Sequence, residues 1–201
     1  MTRIVALLDA NVLYPAPMRD LLIQLGTRET YAPRWTNEIH REWIDALLRT
    51  QPQRDPQRLE LTRSAMDQAV RDALITDYAH LIPKLDLPDP DDRHVLAAAI
   101  HGGCSVIVTQ NLADFPADAL APHGIERRHP DAFLVALLTA DPDAVVTAVQ
   151  IILDRLKHPP LTLDVYLDTL RKIGLAHIAH ELDLRRDAIL ANVPITRDTR
   201  P

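Results

Sequence analysis

The chain has 201 residues, 47% hydrophobic and 25% charged, with 22 Lys and Arg against 28 Asp and Glu for a formal net charge of −6. That size supports one well-buried core with an appendage, and the negative balance argues against a chain-wide electrostatic grip on nucleic acid while leaving room for a local basic face. The single Cys104 excludes a disulfide framework, the first apolar run lasts only five residues, and no stretch approaches the ~20 apolar residues of a membrane span. A soluble protein of the reducing cytoplasm is expected.

Ile4 to Leu8 reads as a short, continuously apolar strand buried in a parallel sheet, and it stops at Asp9. Pro17 to about Arg28 carries Met18, Leu21, Leu22 and Leu25 at helical spacing, with Gly26 near its end. Tyr31–Trp35 is a candidate second strand that Pro33 restricts to an edge or an irregular pairing. Thr36 suits the N-cap of a helix bearing Ile39, Trp43, Ala46, Leu47 and Leu48. After the loop Gln51–Pro56, a long helix is predicted with Leu59, Leu61, Met66, Ala69, Val70 and Leu74 as its apolar set. Leu81-Ile82 is short enough for a brief strand before the acidic, Pro-rich Pro83–Pro90. A helix follows from Asp91 to about His101 and stops at Gly102-Gly103. Ser105–Thr109 is the clearest second apolar strand, and Ile125–Arg128 a further one.

This alternation predicts a three-layer α/β fold over residues 1–130, a central parallel sheet flanked by helices. From residue 131 to 191 the pattern is helical only, an all-helical C-terminal extension. Its segments run through Phe133–Leu138, Val145–Leu156, Leu161–Ile173 and Leu175 to about Leu190, and residues 192–201 read as a flexible tail. The acids of this extension are spread along several helices and follow no strand, which suits solubility. Apolar stripes such as Val145, Val149, Ile152 and Leu156 need a surface to cover.

Carboxylates gather where the apolar segments end. Asp9 closes the first strand, Asp114 follows the second, and Asp89-Pro90-Asp91-Asp92 opens a helix. Each has an ordinary explanation: Asp89 as an N-cap, Asp91 and Asp92 as complements to a helix dipole, Asp114 as the cap of a short helix at 116–120. Glu38 sits in a helix first turn; Glu42 lies one turn further along the same face with no capping role. Their conjunction is harder to explain so, because crowded carboxylates repel one another unless a cation holds them, and hard oxygen ligands favour Mg²⁺ or Mn²⁺. Competing chemistries lack their residues. None of nine histidines has zinc spacing, no phosphate-cradling glycine motif occurs among five glycines, and Ser64 and Ser105 lack a nucleophile-elbow context.

Over residues 3 to 128 these segments resemble the PIN-domain nucleases, in particular the VapC-like toxins of bacterial toxin–antitoxin pairs. LLDANVLYP is similar to the family's opening strand, with Asp9 and the small polar Asn11. TNEIHREW resembles its second segment, with Glu42 six residues after Thr36 and Glu38 as the alternative. DPDDRHVLAAAI resembles the third, where spacing to Ala97 and Ala99 favours Asp92 over its neighbours Asp89 and Asp91. VIVTQNLADFP resembles the fourth, but Asn111 stands where Thr-x-Asp is usual, so that Asp114 takes over the acid's part.

The resemblance implies a cytoplasmic, Mg²⁺- or Mn²⁺-dependent ribonuclease, the toxin of a toxin–antitoxin pair. Asp9, Asp92 and Asp114 would be metal ligands, and Glu42 would orient or deprotonate the attacking water. Thr109 and Asn111 would support the site or contact substrate, and Arg41 and Arg93 would meet RNA phosphates. RNA as substrate, a cognate antitoxin and a homodimer are the expected partners, with no membrane. The alternative is a catalytically degenerate PIN fold that binds RNA or protein, which Asn111 would permit. A phosphatase using Asp9 as nucleophile fits less well, because Asn11 stands where that chemistry wants a second aspartate.

Overall fold

Two apolar runs, Val5–Leu8 and Val106–Val108, are buried on both faces, as strands in the middle of a parallel sheet must be. The computed structural model describes residues 3–156 and 160–191. In chain order it contains β1 (Val5–Leu8), α1 (Ala10–Leu13), α2 (Ala16–Thr27), β2 (Ala32–Arg34), α3 (Asn37–Thr50), α4 (Pro56–Ala69), α5 (Arg93–His101) and β3 (Val106–Val108). These are followed by α6 (Ala117–Leu120), β4 (Glu126–Arg128), α7 (Pro130–Ala140), α8 (Pro142–Arg155), α9 (Leu163–Lys172), α10 (Ala176–Asp183) and α11 (Arg186–Leu190). Tight 3₁₀ turns at Ala79–Lys84, Pro90–Asp92, Leu112–Asp114 and Ala121–His123 fill the connections.

The sheet order is β2-β1-β3-β4 and every pairing is parallel, with Ala6 opposite Val106 at the centre. The chain therefore leaves β1 toward one edge and returns through β3 toward the other. That reversal makes the carboxyl ends of β1 and β3 the topological switch point, where open α/β sheets bind ligands. Pro33 sits in the edge strand β2, where a missing N–H costs least. Gly26 lies within α2 against the Pro33 ring; a Cβ there would fall 2.7 Å from Pro33 Cγ, so glycine permits the close approach of helix to strand. Thr36 caps α3 by accepting from the Ile39 N–H.

Four local expectations change. α4 ends at Ala69, and Leu74 instead lies in a short extended segment beside Trp35, whose N–H and C=O bond Ala73 and Ile75. Leu61 points to solvent at 69% exposure. Leu81-Ile82 belongs to a 3₁₀ turn rather than a strand, because Pro83 has no N–H for a ladder and the Leu81 N–H closes locally on Tyr78 O. The helix expected over Leu175–Leu190 is two, since an i→i+3 bond from Arg185 N–H to Leu182 O tightens and ends α10. The tail expected at 192–201 lies outside the described residues.

The C-terminal helices share the core of the α/β part. Val145, Val149 and Ile152 on α8 are buried, and α8 and α9 pack on α2. No single helix among the described residues is long and apolar enough to cross a membrane. One acid of this region that the sequence reading did not single out, Asp131, is not solvated. Its side chain is buried on α7 and accepts from the N–H groups of His177 (2.9 Å) and Ile178 (2.8 Å) and from His177 Nδ1 (2.7 Å). Leu175 supplies α10 with no side-chain cap, so Asp131 does so from another helix.

Asp131→Ala should leave those buried donors unsatisfied and lower stability by about 2 kcal/mol, a Tm drop of roughly 4–8 °C for a chain of this size. Asp131→Asn, which keeps one acceptor, should lose less. Thermal melting of both variants checks this; an unchanged Tm for the alanine variant would refute the capping role.

Candidate active site

Asp9 is the first residue past β1, and its own N–H bonds Val108 O at 3.1 Å, so the central pairing fixes its backbone. Its side chain is buried and caps α1, with Oδ1 accepting the Ala10 N–H at 2.7 Å. Oδ2 accepts the Thr109 hydroxyl at 2.7 Å and Asn11 Nδ2 at 2.6 Å. Asn11 Nδ2 also donates to Thr109 (2.9 Å), while its Oδ1 accepts the Gln110 N–H (3.0 Å). Thr109 in turn accepts the Asn111 N–H at 3.0 Å. Asn11 and Thr109 thus act as struts that aim one carboxylate. Burial pushes the Asp9 pKa up; the Thr109 and Ala10 hydrogen bonds pull the other way, and Glu42's negative charge adds to the rise.

Opposite Asp9 is the turn that opens α5. Asp89 is exposed and spends its side chain on the Asp91 N–H (2.9 Å), and Asp91 is exposed as well. Asp92 alone of the three turns partly inward. Its pKa is pushed up to about 7, first by burial and then by the charges of Asp9, Asp114 and Asp89, with His94 opposing. Asp114 stands in the 3₁₀ turn after β3, where Asn111 Nδ2 makes a short hydrogen bond to its Oδ2. Asn111 therefore orients Asp114. The short helix that Asp114 was a candidate to cap, α6, has no side-chain cap at all.

Glu38 and Glu42 both reach His94, which the sequence reading did not single out. Glu42 Oε1 lies 2.8 Å from His94 Nε2; Glu38 Oε2 lies 3.6 Å from Nδ1 and accepts from the Tyr78 hydroxyl at 3.3 Å. Burial disfavours the protonated imidazole, but the hydrogen bond and charge of Glu42, with Glu38 and Asp9, outweigh it and raise the His94 pKa. A signal existed: His94 falls in the inward stripe of α5 with Ala97 and Ala98, a poor place for a polar ring without a partner. Of the two arginines expected to meet phosphate, Arg41 is exposed and 4.0 Å from Glu38, and Arg93 pairs with Asp86 at 3.1 Å.

Asp92 stands near enough to Asp9 and Asp114 to feel the charge of each. Among the described residues no three His, Cys, Asp or Glu side chains are grouped closely enough to hold a metal ion between them as they stand. All-oxygen donors of this kind fit a hard ion that keeps several of its own waters, as Mg²⁺ does.

The family profile for the PIN domain matches residues 5–113, more than half of the chain. The chain belongs to the PIN-domain family. A second profile, the VapC50 C-terminal domain, matches residues 130–183 beyond the PIN domain. A protein of Mycobacterium tuberculosis (strain ATCC 25618 / H37Rv) named "Putative ribonuclease VapC50" is 44% identical over 79 residues, 39% of this chain and 47% of the relative. The matched stretch thus spans about half the length of that curated relative. No solved structure matches the chain.

The Asp92 shift fixes a pH dependence for this PIN domain in the presence of a chelator. A folded pKa of about 7 against 3.8 when unexcluded from water means the folded state binds the extra proton between those values. The stabilising contribution is complete below 3.8 and is lost as pH rises through 7. Wild-type Tm should therefore fall from pH 5 to pH 8 more steeply than that of Asp92→Asn, which has no proton to lose. Parallel slopes for the two proteins would mean that Asp92 titrates like an exposed aspartate.

Proposed function

We propose that the chain is a metal-dependent endoribonuclease, the toxin of a toxin–antitoxin pair, with residues 1–130 as the nuclease domain and 131–191 as a helical extension. The observation that carries this is the buried Asp9 carboxylate at the switch point of a parallel sheet, with the half-buried Asp92 near enough to feel its charge; burial first, and then the charges of Asp9 and Asp114, raise the Asp92 pKa to about 7. PIN-family membership and the relative's name support the same reading. RNA is the proposed substrate, with a small antitoxin and a second copy of the chain as protein partners. A cytoplasmic setting belongs to the proposal, supported by Cys104, a buried free thiol.

In this reading Asp9, Asp92 and Asp114 hold Mg²⁺ or Mn²⁺. Such an ion supplies Lewis acidity, making a water more acidic and countering charge on the scissile phosphate. Asn11 and Thr109 keep the Asp9 carboxylate aimed, and Asn111 does the same for Asp114. Glu42 orients the attacking water and accepts its proton, with His94 fixing the carboxylate's angle; Glu38, drawn to Tyr78, stands further back. Attack by water rather than by the ribose 2′-hydroxyl leaves a 5′-phosphate and a 3′-hydroxyl.

RNA cleavage should require Mg²⁺ or Mn²⁺ and stop in EDTA, and Asp9→Asn should lose at least about 100-fold in kcat, the scale of losing a group that acts in the transition state. The variant should still fold, because its amide oxygen can accept from Ala10 N–H and one negative charge leaves a crowded site. Cleavage that persists in EDTA, or products ending in 2′,3′-cyclic phosphate, would overturn the mechanism.

A further inference from the structure

A cleft of about 750 Å³ opens beside Glu42 and Asn11, passes Tyr14, and reaches Arg49 near the end of α3. Its far wall comes from the other part of the chain: Lys172, Ile173 and Gly174, where α9 ends and turns into α10. That turn is firmly built. Gly174 takes φ 87°, a left-handed conformation natural to glycine, and its N–H closes on Arg171 O at 3.2 Å. The Leu175 N–H then returns to Leu170 O at 2.9 Å, with the Leu175 side chain in the core. Lys172 is thereby carried on a fixed rim, and its side chain is exposed.

Many of the arginines outside this cleft are already engaged. Arg41, Arg93, Arg155, Arg171, Arg185 and Arg186 each face a carboxylate. Arg49 and Lys172 are exposed cations with no ion pair among the described residues, as Arg71 is elsewhere, but these two line the cleft that Glu42 and Asn11 also line. A nucleic-acid strand brought to Asp9, Asp92 and Glu42 meets like charge. In a chain of net −6 it needs unpaired cations close by to hold its phosphates.

We propose that the C-terminal region completes the substrate path: Lys172, together with Arg49, binds backbone phosphates of a single-stranded RNA whose scissile bond lies at the acidic site. This rests on the nuclease reading above. It assigns the extension a part in substrate binding, beyond covering the apolar faces of α2. Arg49 and Lys172 are binding residues here, and the chemistry stays with the acids.

The test uses the full chain carrying Asp9→Asn, so that RNA is bound without turnover, and a short fluorescein-labelled single-stranded RNA followed by anisotropy over a range of salt. Lys172→Gln and Arg49→Gln are each expected to raise Kd about fivefold and to reduce the slope of log Kd against log salt by about 0.7. Lys172→Arg should bind like the parent. Arg71→Gln removes an equally exposed cation outside the cleft and should change neither quantity. With Asp9 restored, the two glutamine variants should raise KM more than they lower kcat. If the active protein cleaves RNA but Kd, salt slope and KM are unmoved by both substitutions, the cleft is not the path and the nuclease reading survives alone. Cation-dependent RNA binding without any cleavage would uphold the cleft and sink the nuclease reading; no binding by any form would overturn both.

Discussion

The parallel pairing of β1 with β3 is the constraint on which the site depends. It sets Ala6 against Val106 and Leu8 against Val108, so that Asp9 and Thr109 emerge side by side where both strands stop. Only then can a buried carboxylate be tolerated. Stripping water from an ionised aspartate costs several kcal/mol even after the protein relaxes. The Ala10 N–H, the Thr109 hydroxyl and the Asn11 amide each return about 1.5–3 kcal/mol as hydrogen bonds to a charged group. Burial outweighs these bonds, which is why the Asp9 pKa still lies above its ordinary value. A carboxylate held in that state is fixed in direction and favours a nearby positive charge.

Electrostatics of the surrounding groups follow from the same placement. Glu42 bears on Asp9, and Asp9 bears on Asp92, so the negative charge is shared across three segments distant in sequence. His94 is the internal counterweight. It lowers the pKa of both aspartates while its own is raised by Glu42, Glu38 and Asp9. A protonated His94 would soften the repulsion before any divalent cation arrives, and it would keep Glu42 ionised and directed. Because Asp92 is the N-cap residue of α5, one helix start supplies both a carboxylate and the group that moderates it.

Much of this was legible in the residues. Continuous apolar runs of three to five residues gave the central strands, because a strand covered on both faces has no polar alternation to show. Thr36, Asp89 and Pro90 announced helix starts through capping chemistry that acts within a single turn. The acids of the site were visible by type and by their position after strands. His94 was not, because its meaning depends on α3 lying across α5, and no local pattern encodes that contact. The same holds for Asp131, which reads as one more acid at a helix start and becomes a buried cap only when α10 is brought against α7. Leu81-Ile82 and Leu74 were misread for a related reason: short apolar pieces near Pro83 and Trp35 take whichever backbone partners tertiary packing offers.

The helical extension brings together two requirements that would otherwise conflict. On the proposed function the acidic site must stay negative to hold a cation, yet the RNA it would act on is itself an anion. Raising the positive charge of the α/β part near the acids would solve the second problem at the expense of the first, because cations beside Asp9 or Asp92 would lower their pKa and occupy their lone pairs. Arg41 and Arg93 illustrate the difficulty, since each already leans toward a neighbouring carboxylate. Under the proposed substrate path, a lysine on a separate element, across a cleft from Glu42, would attract a strand without pairing with the acids. On that path, packing of α8 and α9 on α2 would matter to function as well as to stability, because it sets where Lys172 stands relative to Glu42.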